Sequence, residues 1–243
     1  MRRFIAIFIV TLVSCTPRFQ EMSVLLQDPA PIDIPFDEGF LDYAMDMDSF
    51  AKLDLKLNDT LERIVFCGSS SIRMWKNLTM DMDTFPYTIV NRGFGGSTLP
   101  DVNYYFDNLI KPHQAKAVVL YCGENDITDG HKARDVFNSF YTFLRLFLKD
   151  NSNGKLLYVS MKPSPARWRY WPEFEKGNAL IENYISRLKS TNIDYIDISK
   201  SMIDAKTKKP IPSIFVSDKL HMNTEGYQYW KEGISEALLC LIE

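Results

Sequence analysis

The chain has 243 residues, of which 46% are hydrophobic and 24% charged, and its formal net charge is −3. That length suits one α/β domain with at most a small appendage, and the composition is that of a packed core, not of a disordered or repetitive chain. The near-neutral balance and the lack of a basic stripe exclude bulk attraction to nucleic acid.

The N-terminus reads as a targeting segment. Arg2 and Arg3 precede a run from Phe4 to Val13 that is apolar apart from Thr11. As a helix this run spans about 15 Å, half of a bilayer core of about 30 Å, so it is too short to cross. It ends in Leu12-Val13-Ser14-Cys15, which resembles the lipobox of bacterial lipoproteins, where the cysteine is lipidated and becomes the first mature residue. An ordinary signal peptide with a chance cysteine is the alternative. The lipobox reading predicts a signal peptide over 1–14 and a lipid anchor on Cys15 that holds the protein to a membrane of the bacterial envelope. Several acyl chains on one residue anchor stably where a single chain does not. Pro17, Pro29, Pro31 and Pro35 then mark residues 15–37 as a tether, and the folded domain is expected over 38–243.

From Asp37 to Leu57, Phe40, Leu41, Tyr43, Ala44, Met47, Phe50, Leu53 and Leu57 recur at helical steps, which predicts an amphipathic helix packed outside a sheet. Strands are expected at Arg63–Cys67, Thr88–Asn91, Ala117–Cys122, Leu156–Ser160 and Tyr195–Ile198. Helices are expected at Leu99–Ile110, Arg134–Lys149, Glu173–Ser190 and Glu225–Leu241. Alternation of this kind predicts an α/β fold of three layers, α/β/α, with a flavodoxin-like parallel sheet of about five strands.

Chemistry gathers where the strands end. The first closes in Gly68-Ser69-Ser70-Ser71, a turn into a helix start, where free N–H groups and the helix dipole favour negative charge. Serines also cap helices for structural reasons alone. The second strand gives Asn91-Arg92-Gly93-Phe94-Gly95-Gly96, whose glycines let backbone N–H groups approach a ligand. The third gives Gly123-Glu124-Asn125-Asp126, and Asp218-Lys219-Leu220-His221 stands just before the last helix. No Gly-x-Ser-x-Gly elbow occurs, which argues against the ordinary α/β-hydrolase fold.

These four blocks, in this order, resemble the SGNH/GDSL hydrolase superfamily over roughly residues 38–240. The resemblance implies that Ser70 is the nucleophile, that the N–H groups of Ser70 and Gly96 and the amide of Asn125 form an oxyanion hole, and that Asp218 and His221 complete a triad. Ser69 stands where the name-giving Gly-Asp-Ser-Leu block has aspartate, and the Gly-Ser-Ser-Ser version followed by Ile-Arg-x-Trp resembles a recurrent subgroup. The implied activity is that of a serine esterase acting on an O-acyl group, such as acetyl, of a carbohydrate or small molecule, without a cofactor. A lysophospholipase- or thioesterase-like hydrolase and a non-catalytic, lipid-anchored binding protein are the alternatives.

Of the three histidines, His113 and His131 read as ordinary surface residues, and the scattered cysteines assemble no metal site. Cys67 and Cys122 end neighbouring strands, either as buried thiols or as a disulfide, and Cys240 is expected in the core of the last helix. In the segment Met161 to Trp171, prolines alternate with cations and aromatics on the rim after the fourth strand. Arg167 and Trp168 are its candidate substrate-binding residues, through a guanidinium fork and a stacking indole; a rigid brace over the core is the other reading.

Overall fold

Five apolar runs form five parallel strands in the order β2-β1-β3-β4-β5. They are β1 Arg63–Gly68, β2 Thr88–Gly93, β3 Ala117–Tyr121, β4 Lys155–Val159 and β5 Ile193–Ile196. The structure is a computed structural model and describes residues 38–57 and 61–243. The expected signal peptide, Cys15 and the tether therefore lie outside the described residues.

The helices are α1 Ala44–Asp54, α2 Ser70–Arg73, α3 Leu78–Asp81, α4 Leu99–Tyr104, α5 Phe106–Leu109, α6 Glu124–Thr128, α7 Ala133–Asp150, α8 Trp171–Leu188 and α9 Thr224–Ile242. They cover both faces of the sheet, which is why all five residues of β3 are buried and read as one unbroken apolar run. Alternate side chains go to opposite layers. Val65, Cys67, Val118 and Leu120 join the cluster built with α4, α5, α7 and α8, while Ile64, Phe66, Val119 and Tyr121 join the one built with α2 and α9. In the second layer Trp75 stacks on Tyr227 at 5.3 Å, and its indole N–H donates to Asp81 at 2.7 Å. That anchors the short helix carrying the serine block against the long C-terminal helix.

The expected fold class is the observed one, and the differences are local. The helix expected over 37–57 begins as a 3-10 turn, Glu38–Tyr43, before α1. The helix expected over 99–110 is interrupted at Tyr105, whose φ of −91° and ψ of 16° fall in the bridge region. His113 is not a surface residue. It is 5% exposed, with Nδ1 3.4 Å from the Arg63 guanidinium and Nε2 3.8 Å from Asp54. Burial, with Arg92 and Arg63 beside it, draws its pKa down to about 3, so the ring is neutral. Asp54 also pairs with Arg92 of β2, and this cluster pins the end of α1 to the sheet. Cys240 is exposed, not core. The buried stripe of α9 runs through Tyr227, Trp230, Ile234, Leu238 and Leu241, and Cys240 lies off it. Cys67 and Cys122 are both buried free thiols.

Gly68 closes β1 with a φ of +131°, and a β-carbon there would lie 1.9 Å from the Tyr121 carbonyl oxygen. Only glycine lets β1 turn this sharply beside β3.

Candidate active site

The strand order reverses direction at β1, between β2 on one side and β3 on the other, and at such a switch point the turns leaving the carboxyl ends open a crevice. Ser70 follows β1, Gly96 follows β2 and Asn125 follows β3, so the switch brings the three together. Of the three serines after Gly68, Ser69 and Ser71 are buried at 5% and 2% exposure, while Ser70 is half-buried and reaches the crevice. The Ser69 N–H donates to the Tyr121 carbonyl at 3.0 Å, and the Ser71 carbonyl accepts from the Tyr227 hydroxyl at 2.8 Å. These bonds hold the turn rigid on either side of Ser70.

The fourth group comes from a separate loop. The Val216 N–H donates to the His221 carbonyl at 2.8 Å, closing a tight turn in which Lys219 takes a φ of +59°. Asp218 Oδ1 accepts from the N–H groups of Leu220 at 2.8 Å and His221 at 2.9 Å. Its other oxygen, Oδ2, lies 2.6 Å from His221 Nδ1, and His221 Nε2 lies 2.9 Å from Ser70 Oγ. Partial burial works against the Asp218 charge, but the bonds from the His221 ring and from the two backbone N–H groups outweigh it and hold the pKa down at about 2. An ionised Asp218 fixes the proton on Nδ1 and leaves Nε2 as the acceptor for the Ser70 hydroxyl. This arrangement can activate a serine oxygen as a nucleophile.

Donors also stand at this edge. Among the described residues neither the Ser70 N–H nor the Gly96 N–H donates to a protein acceptor. Gly96 has a φ of +84°, a conformation that turns the peptide and suits glycine. The turn that carries it is tied down on both sides. Asn91 donates to the Ile72 carbonyl at 2.8 Å and accepts from the Gly93 N–H at 2.9 Å, which joins it to the serine block. Asn125 Nδ2 donates to the Ser97 carbonyl at 2.8 Å, and the buried carboxylate of Asp126 accepts from the Leu99 N–H at 3.1 Å and 3.2 Å. One hydrogen on Asn125 Nδ2 remains uncommitted.

The rim loop differs from expectation at Arg167. Its guanidinium turns inward, with Nη2 donating to Asn125 Oδ1 at 2.7 Å and Nη1 to Glu124 Oε2 at 3.3 Å. Glu124 in turn accepts from Lys162 at 2.9 Å, with Glu124 4% and Lys162 1% exposed. Sequence reasoning missed the pairing within this set, because its two halves, Glu124-Asn125 and Lys162 to Arg167, lie 38 to 43 residues apart. Trp168 is half-buried, stacked on Trp171 at 5.8 Å, and it lines an open apolar cleft of about 430 Å³ with Pro165, Pro210, Ile211 and Pro212. The loop also touches the histidine loop, where the Ala166 N–H donates to the Lys219 carbonyl at 3.0 Å. Tyr43, equally missed, brings its hydroxyl to 3.4 Å from where a β-carbon on Gly96 would stand. His131 is exposed and takes no part. Among the described residues no group of three or more His, Cys, Asp or Glu side chains is arranged to hold a metal, and no helix is long and apolar enough to cross a membrane.

A profile of the GDSL-like lipase/acylhydrolase family matches residues 70–229. No curated protein sequence matches the chain. Several solved structures share the fold. A candidate acylhydrolase from Bacteroides fragilis is 21% identical, with 86% of this chain and 100% of that one covered at a TM-score of 0.69. A GDSL-like lipase from Bacteroides thetaiotaomicron is 19% identical, with 79% and 96% covered at a TM-score of 0.65. A carbohydrate esterase of family 3 from Talaromyces cellulolyticus is 16% identical, with 75% and 98% covered at a TM-score of 0.60.

Asp126 supplies a test of how this edge is built. Burial pushes its pKa up to about 7, against the opposing pull of its backbone hydrogen bonds and of His131. Its unfolded value is about 3.9, so between about pH 4 and pH 7 the folded chain binds a proton that the unfolded chain has lost. Stability therefore falls as pH rises through that window. Urea unfolding of the wild type and of Asp126→Asn should diverge across it, the wild type losing ground by up to about 1.4 kcal/mol per pH unit. A difference that stays flat from pH 4 to pH 8 would show that Asp126 titrates as an ordinary carboxylate.

Proposed function

The chain belongs to the GDSL-like lipase/acylhydrolase family and is an ester-hydrolysing enzyme, and from that premise we propose that Ser70, His221 and Asp218 are its catalytic triad. The observation that carries this reading is the unbroken chain of contacts from Ser70 Oγ to His221 at 2.9 Å and from His221 to Asp218 at 2.6 Å. Ser70 Oγ attacks the ester carbonyl while His221 Nε2 takes its proton. The tetrahedral oxyanion accepts hydrogen bonds from the N–H groups of Ser70 and Gly96 and from Asn125 Nδ2. Collapse breaks the bond to the leaving alcohol, which receives the proton from His221 and leaves Ser70 acylated. Water, deprotonated by the same imidazole, repeats the sequence and frees the acid. Loss of one oxyanion donor typically costs about 2.7–4 kcal/mol in the barrier.

The proposed substrate is an O-acyl ester, with a short acyl group such as acetyl, of a carbohydrate or small molecule. Trp168 supports this reading, because its indole lines an open cleft on the loop whose Ala166 N–H holds the Lys219 carbonyl, and an indole stacks on a sugar ring. The carbohydrate esterase from Talaromyces shares the fold, which fits the same class. We further propose that the mature protein begins at lipidated Cys15 and is held to an envelope membrane with the domain on a tether. The short apolar run ending in Leu12-Val13-Ser14-Cys15 supports it.

Three outcomes test these readings. Ser70→Ala should abolish turnover and labelling by a fluorophosphonate, while Ser69→Ala and Ser71→Ala still label; a labelled peptide mapping to either neighbour would move the nucleophile. Trp168→Ala should leave aryl-acetate turnover within about threefold but weaken activity on acetylated sugars about tenfold, roughly 1.4 kcal/mol. Equal losses on both, with a lower melting temperature, would make the loop a brace, and aryl esters hydrolysed faster as the acyl chain lengthens would point to a lysophospholipase or thioesterase. Cys15→Ser should move the protein from the detergent phase to the aqueous phase on partitioning, and a wild type already in the aqueous phase would refute the anchor.

A further inference from the structure

The side chain of Asn125 has two polar edges, and each meets a partner of fixed polarity. Oδ1 accepts from the Arg167 guanidinium at 2.7 Å, and Nδ2 donates to the Ser97 carbonyl at 2.8 Å. A guanidinium can only donate and a carbonyl can only accept, so a flipped amide would lose both bonds and set like against like. Asn125 is 8% exposed, so water does not take over either role freely. Two constraints thus leave the amide one orientation, in which the second N–H of Nδ2 is the uncommitted one.

We propose that Arg167 is a positioning residue for the oxyanion hole: its guanidinium locks the Asn125 amide and strengthens the N–H that meets the developing oxyanion. The inference rests on the reading of Asn125 as a donor in that hole. A cation on Oδ1 draws electron density from the amide, and hydrogen bonds in series reinforce one another away from water. Charge counting supports a role beyond structure. Glu124 is neutralised by the Lys162 ammonium at 2.9 Å, both buried, so Arg167 is not needed to balance it. Its second contact, to Glu124 Oε2 at 3.3 Å, aims the fork and seats its positive charge directly behind Asn125. That charge favours the transition state, where negative charge appears, over the neutral ester. One N–H on each terminal nitrogen of Arg167 is spent on Asn125 or Glu124, so the fork is held facing the amide.

A double-mutant cycle on purified enzyme with p-nitrophenyl acetate separates the roles. Arg167→Ala should lower kcat about 10- to 30-fold with KM within about twofold, the pattern of an interaction made only in the transition state. Asn125→Ala should lower kcat about 100- to 1,000-fold. The double variant should be no more than about threefold slower than Asn125→Ala, because Arg167 acts through that amide. Arg167→Lys, which keeps a cationic donor, should return to within about fivefold of wild type. A full Arg167→Ala loss persisting in the Asn125→Ala background, or a rise in KM with kcat unchanged, would overturn the proposal. If Asn125→Ala is slow while Arg167→Ala is not, only this inference fails; if Asn125→Ala is as fast as wild type, the reading of Asn125 as a donor fails with it. Should Arg167→Ala not fold, Arg167→Gln in the same cycle reads the same coupling.

Discussion

The hydrogen bond from the Asn125 amide to the Ser97 carbonyl is the joint on which the candidate site depends. It fastens the turn after β2 to the helix after β3 across the end of β1, and the Leu99 N–H doubles it by donating to Asp126. A parallel sheet delivers its turns to one edge, and the β2-β1-β3 order makes these three turns neighbours. Neighbouring turns are still loops, though, and loops at a carboxyl edge drift unless something holds them. Here one clamping side chain, Asn125, is also a proposed oxyanion donor, so in that reading the same residue sets the spacing of the donors and supplies one of them.

The edge holds a cluster of buried charged residues. Over the rest of the sheet the layers are largely apolar, with Phe, Trp, Leu and Val filling both faces, apart from the Arg92–Asp54–His113 cluster and Asp81. At the carboxyl ends Glu124, Asp126 and Lys162 are buried. Burial lowers the Lys162 pKa and raises that of Asp126, so both groups resist being charged where they sit. A fold selected for stability alone would place apolar residues there, since a buried ion pair rarely outperforms good packing. In the proposed mechanism, arranging polar and charged groups beside the oxyanion is the return for that cost.

Much of this was legible in the sequence because of what made each part legible. The strands announce themselves as apolar runs, since both faces are covered. Asp218 and His221 stand three residues apart because a single turn brings one carboxylate both to the ring and to the backbone that holds it. Local contacts leave local signatures. The Lys162–Glu124–Arg167–Asn125 set has none, since β4 and the loop after it must fold back before Arg167 meets Asn125. Arg167 stands out in the sequence by its type and its neighbours, and only the fold shows that its fork points inward. His113 misled for a similar reason: a turn beside Lys and Pro reads as surface, and the end of α1 covers it only in three dimensions. Tyr43, far from any motif, reaches the site through the same packing of the N-terminal segment.

A tetrahedral adduct reports most directly which serine reacts and which donors meet the oxyanion. A crystal structure of the enzyme inactivated by a phosphonate should show phosphorus bonded to Ser70 Oγ. One phosphonyl oxygen should lie about 2.7–3.1 Å from the Ser70 and Gly96 nitrogens and from Asn125 Nδ2. Phosphorus on Ser69 or Ser71, or a phosphonyl oxygen turned away from Gly96 and Asn125, would contradict the proposed mechanism.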